Sequence, residues 1–160
     1  GVLGGLIDFQ TVESNDTANA NTPVVPKDTI DISQTGVTSN GGGIRVAKSL
    51  VSKVEALISA ASADGVSLTG SGWRDPASQI ELRKAHCGPS HYEIYEKPAN
   101  SCKPPTARPG TSNHERGIAI DFKNCSTHAT ACWTWLNKNG ASFGFSNLPS
   151  EPWHWSVDGR

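Results

Sequence analysis

Several features that would place this chain in other protein classes are missing from its sequence. Its net charge is only -1, from 14 Lys and Arg against 15 Asp and Glu residues. This balance gives no electrostatic reason to expect nucleic acid or an anionic membrane as a partner. No run of about 20 apolar residues is present, so no membrane-spanning helix is predicted. With 160 residues, 36% of them hydrophobic, the chain is expected to be globular and to form one domain with its own core.

Methionine is absent, and so is a recognisable signal peptide. Residues 1–9 are mildly apolar, but they have no basic start and no long apolar segment. Because the chain begins at Gly1 rather than at Met, we expect a processed or excised fragment of a longer protein.

Composition divides the chain into two parts. Residues 10–40 are rich in Thr, Asn, Asp, Ser and Pro, which is typical of a linker or a surface arm. We therefore assign residues 1–40 to an N-terminal arm and residues 41–160 to the functional domain. The three glycines at 41–43 lack the Lys and Ser/Thr of a phosphate-binding loop and are interpreted as a flexible entry to that domain.

The apolar pattern of the second part mixes helices and strands. Residues 44–61 repeat apolar side chains every three or four positions, which predicts a helix, and Gly65 suits the position just past its end. Asp75 followed by Pro76 is a typical helix start. The complete prediction is helices over 44–61, 75–85 and 128–139, strands over 66–70, 117–122 and 153–157, and a long ordered loop over 86–110. This order favours an α+β fold with helices flanking a small antiparallel sheet.

The four cysteines fall into two local pairs, Cys87 with Cys102 and Cys125 with Cys132. Four cysteines allow three disulfide connectivities, of which the local pairing is the simplest. A four-cysteine zinc site is the alternative, although the short C-x-x-C spacing usual for such sites is absent. Disulfides would indicate an oxidising compartment, so a secreted or extracytoplasmic location is expected.

Chemistry-bearing residues concentrate around the predicted strand 117–122. Side chains alternate between the two faces of a strand, so Asp121 shares its face with small residues, which leave room for an ion and a substrate. The large residues on the other face can fill the core. His114 lies in the loop that enters this strand and can reach the same ion. The small-residue face comprises Gly117, Ala119 and Asp121, and the large-residue face comprises Ile118, Ile120 and Phe122.

A second polar group lies on the last predicted strand. His154 points to the face opposite its two flanking tryptophans, and Pro152 marks the start of the strand, which puts Glu151 at the loop edge. Two imidazoles and one carboxylate suit zinc and leave a fourth position for water. A nearby Glu would accept the proton of that water. From the residues alone, a structural role for each of these side chains stays the alternative.

The pattern S-x-H-x-x-G-x-A-x-D from Ser112, followed about thirty residues later by E-P-W-H from Glu151, resembles the VanY-type D-alanyl-D-alanine carboxypeptidases of the M15 peptidases. These enzymes share a metal-site fold with lysostaphin-type peptidases and the Hedgehog signalling domain. The resemblance covers residues 44–157. It implies a Hedgehog/DD-peptidase-like zinc fold with one zinc ion. The implied ligands are His114, Asp121 and His154, with Glu151 as the general base.

An upstream segment, G-W-R-D-P-A-S-Q from Gly72, is similar to the G-Y-R-S-x-x-x-Q motif of the same family. The resemblance implies that Arg74 binds the substrate carboxylate and stabilises the attacked carbonyl. A guanidinium suits this role because it makes two parallel hydrogen bonds to a carboxylate. Gln79 and Ser112 match family positions near the substrate.

The expected function is that of a monomeric, cell-wall-associated zinc peptidase acting on peptidoglycan stem peptides. Removal of the terminal D-alanine is favoured, because an exopeptidase must recognise a free carboxylate and Arg74 can do so. One alternative is an endopeptidase that cuts within the stem peptide or cross-bridge. Another is a non-catalytic wall-binding domain. The loop between Cys87 and Cys102 is the predicted wall of the substrate cleft.

Overall fold

Between residues 22 and 160, two antiparallel sheets and four α-helices make up the fold. The computed structural model describes residues 22–160. A hairpin of β1 and β2 stands beside a four-stranded sheet of order β3-β4-β6-β5, in which every neighbouring pair is antiparallel. The elements are β1 (Thr35–Val37), β2 (Arg45–Ala47), α1 (Val51–Ala63), β3 (Gly70–Ser71), α2 (Pro76–Cys87), α3 (His91–Tyr95), β4 (Ala119–Phe122), α4 (Ala131–Asn139), β5 (Ser146–Leu148) and β6 (Glu151–Ser156). The predicted α+β class is therefore confirmed.

The core lies between the larger sheet and the helices α1 and α4. The bulky face of β4 is buried as its alternation predicted, with Ile120 fully buried and Phe122 3% exposed. Leu57 of α1 and Leu136 of α4 are also fully buried and belong to the same cluster. The opposite face of β4 is thereby left for polar chemistry. None of the helices between residues 22 and 160 is long and apolar enough to cross a bilayer.

The helix predicted for residues 44–61 begins only at Val51, so its first third was predicted wrongly. Residues 45–47 form β2, which pairs with β1. Ile44 and Val46 are both buried and are two positions apart, which is the period of a strand. The turn between β1 and β2 uses the glycines at 41–43, each at positive φ. This local turn outweighs the helical spacing of the first apolar residues.

The hairpin crosses the boundary predicted at residues 40 and 41, because β1 lies before it and β2 after it. The arm is also tied to the domain by the bond from the Ile30 N–H to the Glu115 carbonyl, 3.0 Å. Residues 1–21 of the predicted arm lie outside the described residues. The division at residue 40 stays a prediction.

The predicted long loop 86–110 contains a short helix. Ser90 caps α3 by accepting a hydrogen bond from the Glu93 N–H, and the Glu93 side chain accepts one from the Ser90 N–H. This reciprocal arrangement is a capping box, whose S-x-x-E signal is visible in the sequence. The helix α2 is capped by Asp75 as predicted, although it extends to Cys87. The strand predicted for 66–70 was misplaced, since β3 comprises Gly70–Ser71.

Both predicted disulfides are present, Cys87–Cys102 and Cys125–Cys132. The fully buried guanidinium of Arg83, which precedes the first disulfide loop in the sequence, donates hydrogen bonds to backbone carbonyls in that loop and just after it. The four bonds are 2.7–2.8 Å long, and the acceptors are the carbonyl oxygens of Glu93, Ile94, Lys97 and Thr106. Arg83 thus ties α2 to α3 and to the segment that follows.

Candidate metal centre and active site

Strand pairing brings two of the predicted metal ligands together. In the antiparallel register of β4 and β6, Asp121 lies directly opposite His154. Directly opposed residues present their side chains on the same face of a sheet. Accordingly, His154 Nδ1 lies 3.0 Å from Asp121 Oδ1. Two rigid strands, rather than loops, therefore set this pair.

The third predicted ligand, His114, comes from the turn before β4. The N–H of Gly117 closes this turn on the His114 carbonyl, 3.0 Å away. Gly117 has a φ of +70°, and a Cβ there would lie 2.7 Å from the backbone nitrogen of Ala47, so only glycine fits. The turn directs the His114 ring towards β4, where Nε2 lies 3.2 Å from Asp121 Oδ1.

Backbone carbonyls determine which nitrogen of each ring faces Asp121. His114 Nδ1 donates to the Gly72 carbonyl at 2.8 Å, and His154 Nε2 donates to the Arg160 carbonyl at 2.8 Å. Because a carbonyl only accepts, both of these nitrogens carry a proton. In the neutral rings, the remaining nitrogens then present lone pairs to Asp121, as metal-ligating imidazoles do.

The arrangement fits a single metal ion. One ligand atom from each of His114, Asp121 and His154 lies within 4.8 Å of the others. His114 Nε2 is buried and makes no hydrogen bond of acceptable geometry, despite its proximity to Asp121. A buried nitrogen without a partner is costly, and a cation at this point would satisfy it. Two imidazoles and one carboxylate are a usual donor set for zinc.

Electrostatics favour an ionised Asp121. Burial disfavours its charged form, but the imidazoles of His114 and His154 outweigh this and hold the pKa of Asp121 well below its usual range. The carboxylate is consequently ionised over the whole physiological range, as a metal ligand must be.

Glu151 lies beside this cluster at the start of β6, with Oε2 3.9 Å from His154 Nδ1. Burial raises the pKa of Glu151, an effect that the nearby Asp121 carboxylate reinforces and that His154, His114 and Arg74 oppose. The side chain of Asn147 holds this end of the strand by donating to the Glu151 carbonyl at 3.0 Å. A carboxyl with a raised pKa near a metal-ligand cluster is suited to proton transfer.

Arg74 lies on the other side of the cluster. Its N–H donates to the His114 carbonyl at 3.1 Å, and its Nη2 lies 4.0 Å from Asp121 Oδ2. Its Nη1 donates to Gln79 Oε1 at 2.7 Å. Gln79 is 1% exposed, and its Nε2 donates to the Ala107 carbonyl at 2.8 Å. Gln79 thus lies behind Arg74 and orients it, while its predicted contact with substrate stays a prediction.

An open cleft of about 470 Å³ joins these groups. Ser112 lines it, and the Ser112 hydroxyl accepts a hydrogen bond from the His114 N–H at 3.1 Å. From the predicted wall, which is the loop between Cys87 and Cys102, Ala99 lines the cleft. Residues 104–107, which come after that loop, also line the cleft and complete the wall. All six predicted catalytic, substrate-binding and metal residues other than Gln79 border this cleft, namely Arg74, Ser112, His114, Asp121, Glu151 and His154.

Three supporting groups were not predicted. The carbonyls of Gly72 and Arg160 orient the two histidines, and backbone atoms leave no signal in a sequence. The third group is the fully buried carboxylate of Glu115, which accepts hydrogen bonds from the N–H groups of Gly110 and Ser112 at 3.0 and 3.3 Å. In the sequence, only the position of Glu115 next to His114 points to this supporting role.

Comparison with known proteins identifies the family of this chain. A family model described as VanY, D-alanyl-D-alanine carboxypeptidase, matches residues 43–160. The chain belongs to the VanY family. The match covers every residue of the cluster and of the cleft described above.

One curated protein similar to this chain is a D-alanyl-D-alanine carboxypeptidase from Enterococcus faecalis (strain ATCC 700802 / V583). It is 30% identical over 119 residues, which cover 64% of this chain and 44% of the relative. The chain therefore spans less than half the length of that relative.

Two solved structures share the fold. VanYB in complex with D-Ala-D-Ala has a TM-score of 0.56 at 23% identity, covering 84% of this chain and 86% of that one. A mutant of the D,D-pentapeptidase VanY from a VanB-type resistance cassette, in complex with Zn(II), has a TM-score of 0.55 at 24% identity and covers 86% and 89%. The fold of this VanY-family chain is thus that of known zinc peptidases.

Proposed function

We propose that this VanY-family chain is a zinc-dependent D-alanyl-D-alanine carboxypeptidase that removes the terminal D-alanine from peptidoglycan stem peptides. The observation that carries the proposal is the convergence of His114, Asp121 and His154, with Glu151 and Arg74 on either side of them at one cleft. The structural neighbours support the substrate class and the metal, since one was solved with D-Ala-D-Ala and another with Zn(II).

The residues that would hold the zinc ion are His114 through Nε2, Asp121 through its carboxylate and His154 through Nδ1. Bound there, zinc would supply a Lewis acid that polarises a carbonyl oxygen and acidifies water. The chain contributes a partly buried site in which the ligand nitrogens are fixed by carbonyl acceptors.

Glu151 serves as the proton carrier of this hydrolysis. As water adds to the scissile carbonyl, Glu151 accepts one of its protons, and it returns that proton to the amine as the C–N bond breaks. Its position beside His154, together with a pKa raised by burial, suits both halves of this transfer.

Arg74 favours an exopeptidase. Its guanidinium has five donors, of which one is used by Gln79, and it reaches the edge of the ligand cluster at Asp121. A cation so close to the reacting centre is placed to bind the free carboxylate of a C-terminal residue. An endopeptidase substrate would have a neutral peptide group at this point.

The same proposal places the protein outside the cytoplasm, associated with the cell wall. Its support is the pair of disulfides, since such bonds persist in oxidising compartments. The proposed enzyme acts as a monomer, and the support for this is that one chain brings all of the proposed site residues to one cleft.

The deciding experiment combines metal analysis with mass spectrometry of defined muropeptides. Purified protein should contain one zinc ion per chain and should remove one alanine from a pentapeptide stem. A cross-linked dimer, which has no free D-alanyl-D-alanine terminus on the donor stem, should not be split. Cleavage of the dimer would favour the endopeptidase instead, and protein that neither contains nor takes up zinc would exclude both enzymes.

A further inference from the structure

The residues after β6 turn back onto the metal centre. Asp158 Oδ1 accepts a hydrogen bond from the Arg160 N–H at 3.1 Å, and Gly159 between them has a φ of +77°. This turn aims the Arg160 carbonyl at the sheet, where it accepts from His154 Nε2 and from Asn113 Nδ2, each at 2.8 Å. A turn outside the sheet therefore supplies the acceptor that orients a ligand histidine.

Asp158 holds the turn in place through several donors. Its Oδ1 accepts from Asn113 Nδ2 at 2.7 Å and from the hydroxyl of Ser156, which is fully buried, at 3.1 Å. Its Oδ2 accepts from Arg160 Nη2 at 3.0 Å and lies 3.6 Å from Arg116 Nη1. Hydrogen bonds to an ionised carboxylate are stronger than neutral ones, so this carboxylate is well fixed.

The orientation of His154 depends on the carbonyl that this turn presents. Donation from Nε2 to the Arg160 carbonyl keeps the proton on Nε2 and leaves Nδ1 for Asp121 and the ion. If the carbonyl moved away, the ring would lose the bond that selects this tautomer and fixes its rotation. Loss of an outer hydrogen-bond partner of a ligand histidine typically lowers metal affinity by about 10- to 100-fold.

We propose that Asp158 is a positioning residue of the metal centre, which acts through the Arg160 carbonyl to fix the tautomer and ring orientation of His154. This inference rests on the proposed function, because it assumes that His154 binds zinc.

The test measures zinc affinity of the metal-free full chain by competition with a chelator of known affinity, and unfolding by denaturant in the same samples. Asp158→Ala should weaken zinc binding by about 10- to 100-fold. Asp158→Asn keeps an oxygen that can accept from the Arg160 N–H, so it should recover most of the lost affinity. A merely structural role would lower stability without this difference in zinc affinity.

Gly159→Val is a second variant that disturbs the same turn, and it leaves every charged side chain unchanged. An added Cβ would meet only ordinary contacts, 3.5 Å from Ser146 Cβ, but a β-branched residue does not tolerate the positive φ. It should therefore weaken zinc binding in the same direction. Because it leaves Asp158 unchanged, it keeps the inference testable if Asp158→Ala does not fold.

Asp64→Ala is the matched control. Asp64 Oδ2 accepts a hydrogen bond from Trp135 Nε1 at 2.8 Å and does not line the cleft, so its loss should reduce stability but not zinc affinity. Unchanged affinity in Asp158→Ala, with one zinc bound by the wild type, overturns this inference alone. A wild-type chain that binds no zinc overturns the proposed function, and the inference with it.

Discussion

The hydrogen bonds of the buried Arg83 guanidinium are predicted to stabilise the cleft wall, and their contribution to the free energy of unfolding can be measured. Arg83→Met keeps a long side chain but removes every donor. The bonds to the carbonyls of Ile94 and Thr106 are both buried, so these two oxygens would lose their partner without access to water. Each such loss costs about 1–3 kcal/mol, which gives about 2–6 kcal/mol in all. This is a large part of the 5–15 kcal/mol that typically stabilises a domain of this kind.

Denaturant unfolding followed by tryptophan fluorescence, with the disulfides intact, measures this loss. Lys84→Met is the matched control, since Lys84 is the next residue of α2 and its exposed ammonium forms an ion pair with Glu81 at 3.0 Å. That substitution should change the free energy of unfolding by no more than about 0.5 kcal/mol. If Arg83→Met cost as little as Lys84→Met, the hydrogen bonds of Arg83 would not be what holds the wall.

Three further predictions concern the proposed chemistry. Glu151→Gln should keep zinc but lower turnover by about 10²- to 10⁴-fold, and retained activity would remove Glu151 from the base role. His154→Ala should lose zinc and activity together, as metal analysis and muropeptide assays would show, and tight zinc binding by this variant would contradict the ligand assignment. Arg74→Ala should mainly impair substrates with a free C-terminal carboxylate, and an equal loss on amidated peptides, measured as kcat/KM, would place Arg74 elsewhere.

The local pattern of β4 predicted much of the site. Alternation of small and large residues put Asp121 on the open face and Ile120 in the core, and both positions agree with the structure. The local pattern cannot predict that Asp121 pairs with His154, because the two residues are 33 positions apart and strand register is a long-range property. For that step the resemblance to VanY-type peptidases was needed.

Local signals failed where two of them competed or where distant chain segments meet. Ile44 and Ala47 fit a helical period, yet the glycine turn before them favours a hairpin. An arginine in an amphipathic helix is usually exposed. Arg83 is instead fully buried, because the segment 93–106 folds over it and offers four carbonyls. Nothing in the sequence around Arg83 indicates that segment, since its contribution consists of backbone oxygens.

The proposed metal ligands and the cleft wall are held by different parts of the fold. Asp121 and His154 are fixed by the register of β4 and β6, and His114 by its bond to the Gly72 carbonyl. The wall is held instead by Arg83 and the Cys87–Cys102 disulfide, and within residues 22–160 neither is hydrogen-bonded to a proposed metal ligand. If the proposed function is right, changes in the wall should therefore alter which peptide the cleft accepts while leaving the proposed metal ligands in place. Of the cleft groups, Arg74 connects the two parts, since its backbone is bonded to His114 while its side chain is held by Gln79, whose amide reaches the wall at Ala107.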